Sequence, residues 1–468
     1  MQIEITRLKQ QTKDEILDYY ARDLFVDKKK GLLNEHIFAA IMIEYLDLAT
    51  SGSTLYSKGF TISDDVLKNE IVKMLEYLNI QCGLSSKTNK LLETIKTIAY
   101  RQEIELIENM IPFRNGDLYI EKDKLRFVEN EYKLTKYRLH VNFNSKPTCG
   151  GETLKKWLNN LFYEEDREVI QQYLGYCLLP TTKAQKALFL VGDAGMGKSV
   201  TGVILNAIWG DSVMNIVDVQ SLENDRYMTA ELENKLVVYD DDVPNDALKS
   251  TGIYKKLITC NIPLTANRKY GRMFKFKPFA RIIGCCNEMV VSLYDNTEGF
   301  YRRLLPIETR RKPADFIPDP DFENKIRSEI DYIILWCIKG IVDLQKNGYK
   351  FKESERSKNF LEMERRQGNP FDEFFEDTFV VTRDEEDFIR TVEIIEAYKR
   401  WCRENGEREK AERSLTTWIT RNAERFGIEP MRKYVDKVRM RGYSGLKLND
   451  GIELNKDRKV IQLAFTKK

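Results

Sequence analysis

The chain has little of what metal, disulfide or membrane proteins require. It has only two histidines, His36 and His140, among 468 residues, and none of its eight cysteines stands in a C-x-x-C pair. A zinc site or a disulfide framework is therefore not expected, and a reducing cytoplasm is the expected compartment. No apolar run approaches the length of a membrane span, and the first residues lack the apolar core of a signal peptide. The sequence favours a soluble, intracellular protein without membrane contact.

Net charge is also nearly absent, but charge is unevenly distributed. The 75 basic and 73 acidic residues leave a formal charge of +2. Residues 391–468 nevertheless hold 19 Lys and Arg against 12 Asp and Glu, so a nucleic-acid surface is expected at this end. With 42% hydrophobic residues, the chain is expected to bury a substantial core in about two to four domains.

The most specific motif is a glycine-rich octet, GDAGMGKS, directly behind an apolar run at residues 188–191. It fits the pattern G-x-x-x-x-G-K-[ST] at every position. Glycines let backbone amides turn inward around phosphate oxygens, Lys198 then reaches the β- and γ-phosphates, and Ser199 ligates Mg²⁺. Apolar residues at helical spacing follow, which puts the phosphates at a helix N-terminus. We predict that ATP binds the eight loop residues Gly192, Asp193, Ala194, Gly195, Met196, Gly197, Lys198 and Ser199.

Acidic and polar side chains follow two further apolar runs. The segment KLVVYDDD ends in acids, of which Asp240 is predicted to hold Mg²⁺ through water and Asp241 to polarise the attacking water. Residues 280–286 form another predicted strand, and Asn287 follows it. Because the carboxyl ends of parallel strands meet at one edge of a sheet, Asn287 can orient the water or contact the γ-phosphate there.

An arginine pair, Arg302 and Arg303, comes next. An arginine that completes a neighbouring subunit's site stabilises the phosphoryl transition state, commonly by about 10³ to 10⁵ in rate. Taken alone, either residue is more simply an ordinary solvated side chain, and the sequence does not choose between the two arginines.

These motifs, in this order and at this compact spacing, resemble superfamily 3 DNA helicases of the phage, plasmid and poxvirus primase-helicase group. The resemblance implies an α/β fold with a P-loop AAA+ type motor, a helical N-terminal region and a C-terminal winged-helix-like domain. It also implies that the arginine finger falls on Arg302 or Arg303. Between the second and third motifs, the family carries a hairpin that grips single-stranded DNA in the channel of a hexameric ring.

That hairpin corresponds to residues 264–276, LTANRKYGRMFKF. Read from its residues alone, it has a glycine turn, basic residues that can contact phosphates, and a tyrosine that can stack on a base. The family often has a histidine at the position of the tyrosine. A solvent-exposed hairpin with a basic edge that prevents aggregation is the alternative. The predicted DNA contacts are Arg268, Lys269, Tyr270, Arg272 and Lys275.

The expected organisation has five parts. They are a helical N-terminal domain of unknown role (1–110), a small mixed segment with a helical collar (111–185), the motor (186–310), a helical lid and linker (311–368), and a basic winged-helix-like DNA-binding domain (369–468). In the last part, six basic side chains are expected to contact phosphates, although a generic basic solvated face explains them equally well. They are Arg421, Arg425, Arg432, Lys433, Arg439 and Arg441.

Local patterns give more detailed expectations. Helices are predicted at 13–24, 65–78, 154–179, 322–344, 394–402 and 414–426, the last with Ser414 as N-cap. A loop is predicted near 50–58, a hairpin around Asn115-Gly116, a linker at 353–367, and a strand, turn and strand at 434–448 with the turn at 442–445.

The resulting hypothesis is a hexameric, ATP- and Mg²⁺-dependent DNA helicase without a primase domain, which acts on single-stranded and forked DNA. Family resemblance implies 3′ to 5′ unwinding in the replication of a phage, plasmid or mobile island. Initiator activity, with origin DNA and loading or regulatory proteins as partners, is an extension of this hypothesis. The alternatives are an ATP-dependent protein remodeller or DNA-packaging motor, and a nucleotide-controlled DNA-binding switch.

Overall fold

In the computed structural model, the described part of the chain divides into two compact units at the boundary between Phe360 and Leu361. The described residues are 2–27, 29, 32–51, 54–80, 84–101, 104, 106–121, 124–216, 219, 221–243, 251–260, 262–269, 273–289, 298–312, 319–368, 370–407, 409–435 and 438–449. Across them, every helix is too short or too polar to traverse a bilayer.

The N-terminal region of the first unit combines helices with short strands. Its elements are β1 (Gln2–Arg7), α1 (Lys13–Tyr20), β2 (Phe25–Asp27), β3 (Leu32–Leu33), α2 (Glu35–Leu46), β4 (Leu48–Ser51), β5 (Thr54–Ser57), β6 (Phe60–Ile62), α3 (Asp64–Tyr77) and α4 (Leu84–Ile98). The helices expected from the patterns at 13–24 and 65–78 are present as α1 and α3. The loop expected at 50–58 is wrong, because β4, β5 and β6 form a three-stranded sheet there. The polar Thr50 is held in it by hydrogen bonds to the backbone of α4 and Ala99, a tertiary contact that local composition does not reveal.

A small sheet follows, made of β7 (Met110–Phe113), β8 (Gly116–Glu121) and β9 (Lys124–Glu129). The hairpin expected around Asn115-Gly116 is confirmed. The alternating apolar residues of β8 and β9 are all buried: Leu118, Ile120, Leu125 and Phe127. Strand β1 pairs in parallel with β9 and completes the order β1-β9-β8-β7.

Two helices lead from this sheet to the segment that begins at residue 186, α5 (Glu152–Leu161) and α6 (Arg167–Tyr176), with a short 3₁₀ turn at Glu164–Asp166. The helical spacing expected at 154–179 is therefore divided between two helices, which the 3₁₀ turn separates. Trp157, Leu161 and Tyr173 lie in the core.

The central sheet is parallel throughout. Its segment of the chain contains β10 (Ala187–Val191), α7 (Val200–Trp209), a 3₁₀ turn (Gly210–Ser212), β11 (Val213–Ile216), α8 (Ser221–Asn224), α9 (Arg226–Glu231), β12 (Val237–Asp240), α10 (Gly252–Thr259), β13 (Leu264–Asn267), β14 (Met273–Phe276), β15 (Arg281–Cys286), α11 (Glu298–Tyr301) and β16 (Leu304–Glu308). The strand order is β11-β12-β15-β10-β16. The strands are almost entirely buried apolar runs, which is typical of a parallel sheet covered on both faces. The expected mixed α/β fold with a parallel sheet is therefore confirmed.

The first unit continues with α12 (Phe322–Ser328) and α13 (Ile330–Lys346). The single helix expected at 322–344 is interrupted at Glu329. The carboxylate of Glu329 accepts hydrogen bonds from the amides of Thr153 and Leu154, at 2.8 and 2.9 Å. The break thus places a carboxylate on the amino end of α5, where it satisfies amides that the helix itself cannot.

The chain then runs through α14 (Glu355–Gly368) to the elements of the second unit: α15 (Pro370–Thr378), β17 (Phe379–Val381), β18 (Phe388–Arg390), α16 (Thr391–Asn405), α17 (Glu412–Phe426), β19 (Glu429–Val435), β20 (Val438–Ser444) and β21 (Leu446–Leu448). The charged stretch at 353–367, expected as a linker, forms α14. The helices expected at 394–402 and 414–426 are confirmed as α16 and α17.

Two local expectations in the second unit are wrong. Helix α17 begins earlier than predicted, with Ala411 rather than Ser414 at the N-cap. The turn expected at 442–445 does not form at Gly442, because β20 continues to Ser444 and pairs with both β18 and β19. A glycine is required at 442 because a Cβ there would collide with the backbone oxygen of Ile389.

Candidate functional site

The candidate site lies where β10, β12 and β15 end. All three strands run in the same direction, so the residues that follow them meet at one edge of the sheet. Strand β10 is flanked by β15 and β16, whereas the chain passes from β10 to the distant edge strand β11. Such a switch in strand order opens a crevice at the carboxyl edge of a doubly wound sheet.

The loop from Gly192 to Ser199 connects β10 to α7, as predicted. Gly195 and Gly197 adopt φ values of +76° and +102°, a conformation that side chains disfavour. A Cβ built on either glycine would meet no atom within 4 Å. Backbone geometry, rather than lack of space, therefore requires glycine here. Ser199 is the N-cap of α7, so the loop leads directly into the amino end of a ten-residue helix, where an anion is stabilised.

Lys198 holds this loop together and points to the neighbouring strand. Its ammonium group donates to the backbone oxygens of Gly192 and Asp193, the latter at 3.0 Å. It also donates to the side-chain oxygen of Asn287, at 3.3 Å. The structure thus brings the first and third predicted motifs into contact.

The acidic motif splits into a buried and an exposed part. Asp240, the last residue of β12, is 1% exposed, and its carboxylate accepts from the amide of Asp242 at 3.3 Å. Asp241 is exposed and lines a groove of about 510 Å³ together with Ser199, Asn206 and Tyr239. Ser199 and Asp241, predicted from separate motifs, therefore share one groove.

Buried side chains of β12 and β15 contact each other next to this edge of the sheet. The Tyr239 hydroxyl lies 3.6 Å from the Cys285 sulfur, and burial raises the pKa of Cys285 to about 11. The thiol is therefore neutral at physiological pH and behaves as a small apolar side chain rather than as a nucleophile.

The arginine pair lies at the amino ends of the strands, whereas the candidate site lies at their carboxyl ends. Arg302 and Arg303 immediately precede β16, which pairs in register with β10 from Ala187–Leu304 to Val191–Glu308. Five strand residues therefore separate the pair from the level of the phosphate loop, a distance of about 16 Å. Neither guanidinium can reach the phosphate loop of its own chain.

The two arginines also differ from each other. The Arg303 guanidinium donates to the backbone oxygen of Gly299 and is partly buried, whereas Arg302 is exposed. The backbone of Arg303 is tied on both sides, through its amide to Phe300 and through its oxygen to Ala187. Arg303 is thus integrated into its own subunit, and Arg302 faces outward.

Strands β13 and β14 form the predicted antiparallel hairpin. Tyr270 and Arg272 lie outside the described residues. Lys269 and Lys275 are exposed. Arg268 forms an ion pair with Glu233, and its guanidinium lies 5.0 Å from the centre of the Phe274 ring. Arg268 therefore helps fix the turn end of β13 through Glu233.

Sequence reasoning missed two contacts of the phosphate loop. The indole nitrogen of Trp157 donates to the backbone oxygen of Gly197 at 3.4 Å. Arg311 lies 3.6 Å from the Asp193 carboxylate, at the carboxyl end of β16. The basic triplet at 310–312, directly after an apolar run, was the available signal for a cation at this edge. Trp157 gave no such signal, because its spacing is that of a core residue.

No group of three or more metal-ligating His, Cys, Asp or Glu side chains occurs within the described ranges. A metal held wholly by protein side chains is thus not seen there. A Mg²⁺ ion does not require such a cage, because it usually binds through one or two protein oxygens, waters and substrate phosphates.

Comparison with known proteins adds three similarities. A family of unknown function, DUF5906, matches residues 190–303, which span the segment from β10 to the arginine pair. Primase D5 of fowlpox virus is 24% identical over 180 residues, which are 37% of this chain and 22% of primase D5. The chain therefore matches only about a fifth of that protein.

The fold is shared with the C-terminal region of NrS-1 in its apo structure. The TM-score is 0.51 at 16% identity, over 84% of this chain and 93% of that region. The A form of the same region gives a TM-score of 0.48 at 14% identity, over 85% of this chain and 95% of that chain. The similarity to primase D5 and the fold shared with the NrS-1 region relate this chain to the broad primase-helicase group.

Proposed function

We propose that this chain is the ATP-driven motor of a replicative DNA helicase that works as a ring of subunits. The observation that carries the proposal is the contact between Lys198 and Asn287 at the carboxyl edge of a parallel sheet. It joins a phosphate loop to a polar residue on the adjacent strand, the combination that nucleotide hydrolysis needs. The relation to the primase-helicase group supports a role in replication.

The residues present fit ATP and Mg²⁺. Two glycines with positive φ leave room for phosphate oxygens, and the ammonium of Lys198 lies at the same loop. Ser199 would hold Mg²⁺ directly and Asp240 through water, and the ion would neutralise charge on the β- and γ-phosphates. Asp241 would polarise the attacking water, and Asn287 would orient it. Residues at this edge would thus bind ATP and Mg²⁺ and position the attacking water.

The site is completed by a neighbouring subunit. Arg302 is exposed and lies about 16 Å of strand away from its own phosphate loop, which supports a role in the site of another copy of the chain. We therefore assign the trans-acting arginine to Arg302 and a structural role to Arg303. An arginine supplied in trans makes hydrolysis depend on assembly, which favours a hexameric ring with AAA+ character.

The β13–β14 hairpin is the proposed DNA contact in the ring channel. In the described part of this hairpin, Lys269, Lys275 and the ion-paired Arg268 are exposed, and they would contact a phosphate backbone. The second unit would act as a basic, winged-helix-like DNA-binding module. Unwinding from 3′ to 5′, self-loading at an origin, and a phage, plasmid or mobile-island host replicon follow from the resemblance and belong to the same proposal.

Stimulation of ATP hydrolysis by single-stranded DNA is the first test. We expect the purified chain to hydrolyse ATP with Mg²⁺, and single-stranded DNA to increase the rate. Lys198→Ala should remove both basal and stimulated hydrolysis, because it removes the cation at the phosphates. Hydrolysis that is indifferent to DNA would instead favour a protein remodeller. DNA-stimulated hydrolysis without displacement of a strand from a fork would favour a packaging motor or a nucleotide-controlled switch.

A further inference from the structure

The second unit carries a β-hairpin whose outer part extends beyond its sheet. Strand β18 pairs with β20 only from Phe388–Ser444 to Arg390–Gly442. Strands β19 and β20 continue to pair with each other as far as Val435–Val438. The part of the hairpin beyond Gly442 is thus a two-stranded ribbon, without a third strand beside it in the described chain.

One face of this ribbon concentrates arginine. Arg432 pairs directly with Arg441, and the next pair on the same face is Tyr434 with Arg439. Opposite residues and residues two apart in a strand share a face, so these four side chains are neighbours. All four are exposed, Tyr434 to 74%. Like charges placed directly opposite each other destabilise a hairpin, so this pairing costs stability when the protein is alone.

Three other basic side chains of this unit are paired with carboxylates. Arg425 pairs with Asp372 at 3.1 Å, Lys447 pairs with Asp387 at 2.8 Å, and Lys433, on the opposite face of the ribbon, pairs with Glu386 at 3.6 Å. Within the described part of the unit, no ion pair joins Arg432, Arg439 or Arg441 to a carboxylate. The acidic segment at 384–387 therefore neutralises Lys433 on one face of the ribbon, and the other face stays positive.

We propose that this face, composed of Arg432, Tyr434, Arg439 and Arg441, binds single-stranded DNA. Three guanidiniums without an ion pair to any described carboxylate match a phosphate backbone, whose negative charges relieve the repulsion between Arg432 and Arg441. The exposed tyrosine among them supplies a surface on which an unpaired base stacks. A duplex has no unpaired base for Tyr434 to receive. The inference deepens the proposed function, because it names a second contact with the strand outside the motor.

The test uses the full chain with Lys269→Ala as background, so that the contact in the motor is weakened. Binding of a fluorescent oligo-dT strand is measured by anisotropy without nucleotide at several salt concentrations. The triple variant Arg432→Ala, Arg439→Ala, Arg441→Ala should bind at least about tenfold more weakly, with a salt slope reduced by about 2, since each lost phosphate contact in a single strand contributes about 0.7. Tyr434→Ala should weaken binding about fivefold or more without changing the slope.

A matched control removes the same charge from ion-paired positions of this unit, Lys399→Ala, Arg400→Ala and Lys447→Ala. It should leave the salt slope unchanged. The arginine triple variant should be as stable as the parent or more stable, because the repulsion is gone. A triple variant that binds like the control, a loss of stability in it, or tighter binding of a blunt duplex than of oligo-dT would each overturn the inference. DNA-stimulated ATPase of the triple variant that retains Lys269, measured at saturating DNA, reports the motor separately, so the two proposals can fail independently.

Discussion

Lys198 and Asn287 are 89 positions apart in the sequence, yet the lysine ammonium lies 3.3 Å from the asparagine side-chain oxygen. Strands β10 and β15 pair in parallel, so the residues that follow them meet. The same lysine also bridges two backbone oxygens of its own loop. One cation thus connects the glycine-rich loop to the asparagine that we propose orients the attacking water.

Asn287→Ala should separate nucleotide binding from hydrolysis. We expect ATP affinity to change little, because the loop and Lys198 remain, and kcat to fall by about 10² or more, because the attacking water loses its orienting group. Steady-state kinetics together with binding of a fluorescent ATP analogue measure the two effects. Asn324→Ala removes an exposed asparagine that bonds only Asp321 among the described residues, and it should leave both unchanged. If Asn287→Ala kept the wild-type kcat, Asn287 would have no role in hydrolysis.

Arg302→Ala should abolish hydrolysis through the neighbouring subunit. We expect a loss of about 10³ or more in kcat, with ATP binding retained. Arg303→Ala should instead lower thermal stability, because Arg303 anchors the backbone oxygen of Gly299. Activity and thermal unfolding of both variants distinguish the two roles.

Mixing the variants provides a sharper measurement of the same prediction. Lys198→Ala and Arg302→Ala chains should each be inactive alone. A mixed ring contains interfaces where an intact phosphate loop meets an intact Arg302, so mixing should restore part of the activity. Activity that stays absent across all mixing ratios, although the chains assemble together, would contradict a shared site.

Lys269→Ala should uncouple hydrolysis from unwinding. The side chain is exposed at the end of β13, away from the phosphate loop in sequence. We expect strand displacement on a forked substrate to be lost while much of the basal ATPase remains. Lys358→Ala, which removes an exposed lysine paired with Glu355, is the matched control and should unwind normally. Full unwinding by Lys269→Ala would rule out the hairpin as the element that grips DNA.

Most residues at the carboxyl edge of the central sheet could be predicted from the sequence, because the patterns that mark the ends of buried strands are local. Buried parallel strands are continuous apolar runs, and the residues that follow them are polar, so the ends of β10, β12 and β15 could be located without coordinates. The pairing of β1 with β9 has no such signal, since two strands more than a hundred residues apart carry no mark of their partnership. The helix break at Glu329 was missed for a related reason: the apolar spacing continues through it, and only the distant amino end of α5 explains the carboxylate.

The sequence also cannot distinguish the roles of Arg302 and Arg303, because these roles depend on tertiary contacts. Two adjacent arginines have the same chemistry in a sequence. The strand register sets both beyond reach of their own phosphate loop, and the contact with Gly299 distinguishes one from the other. Both facts depend on tertiary structure.

Removing Asp117 should destabilise the small sheet severely. Asp117 and Arg138 form an ion pair at 2.8 Å, with both side chains fully buried. The Arg138 guanidinium also donates to the backbone oxygens of Phe113 and Lys133. Asp117→Ala leaves a buried guanidinium without its counter-charge, which costs about 3–5 kcal/mol. We expect hydrogen exchange of the β7–β9 amides to accelerate accordingly.

The double variant Asp117→Ala, Arg138→Met should recover much of that loss, because no buried charge remains, although the two backbone oxygens lose their donor. Glu121→Ala breaks the exposed pair with Arg126 at 3.0 Å in the same sheet and should cost no more than about 1 kcal/mol. If Asp117→Ala exchanged no faster than Glu121→Ala, the pair would contribute nothing to the sheet, and β7–β9 would be stabilised by their apolar face alone.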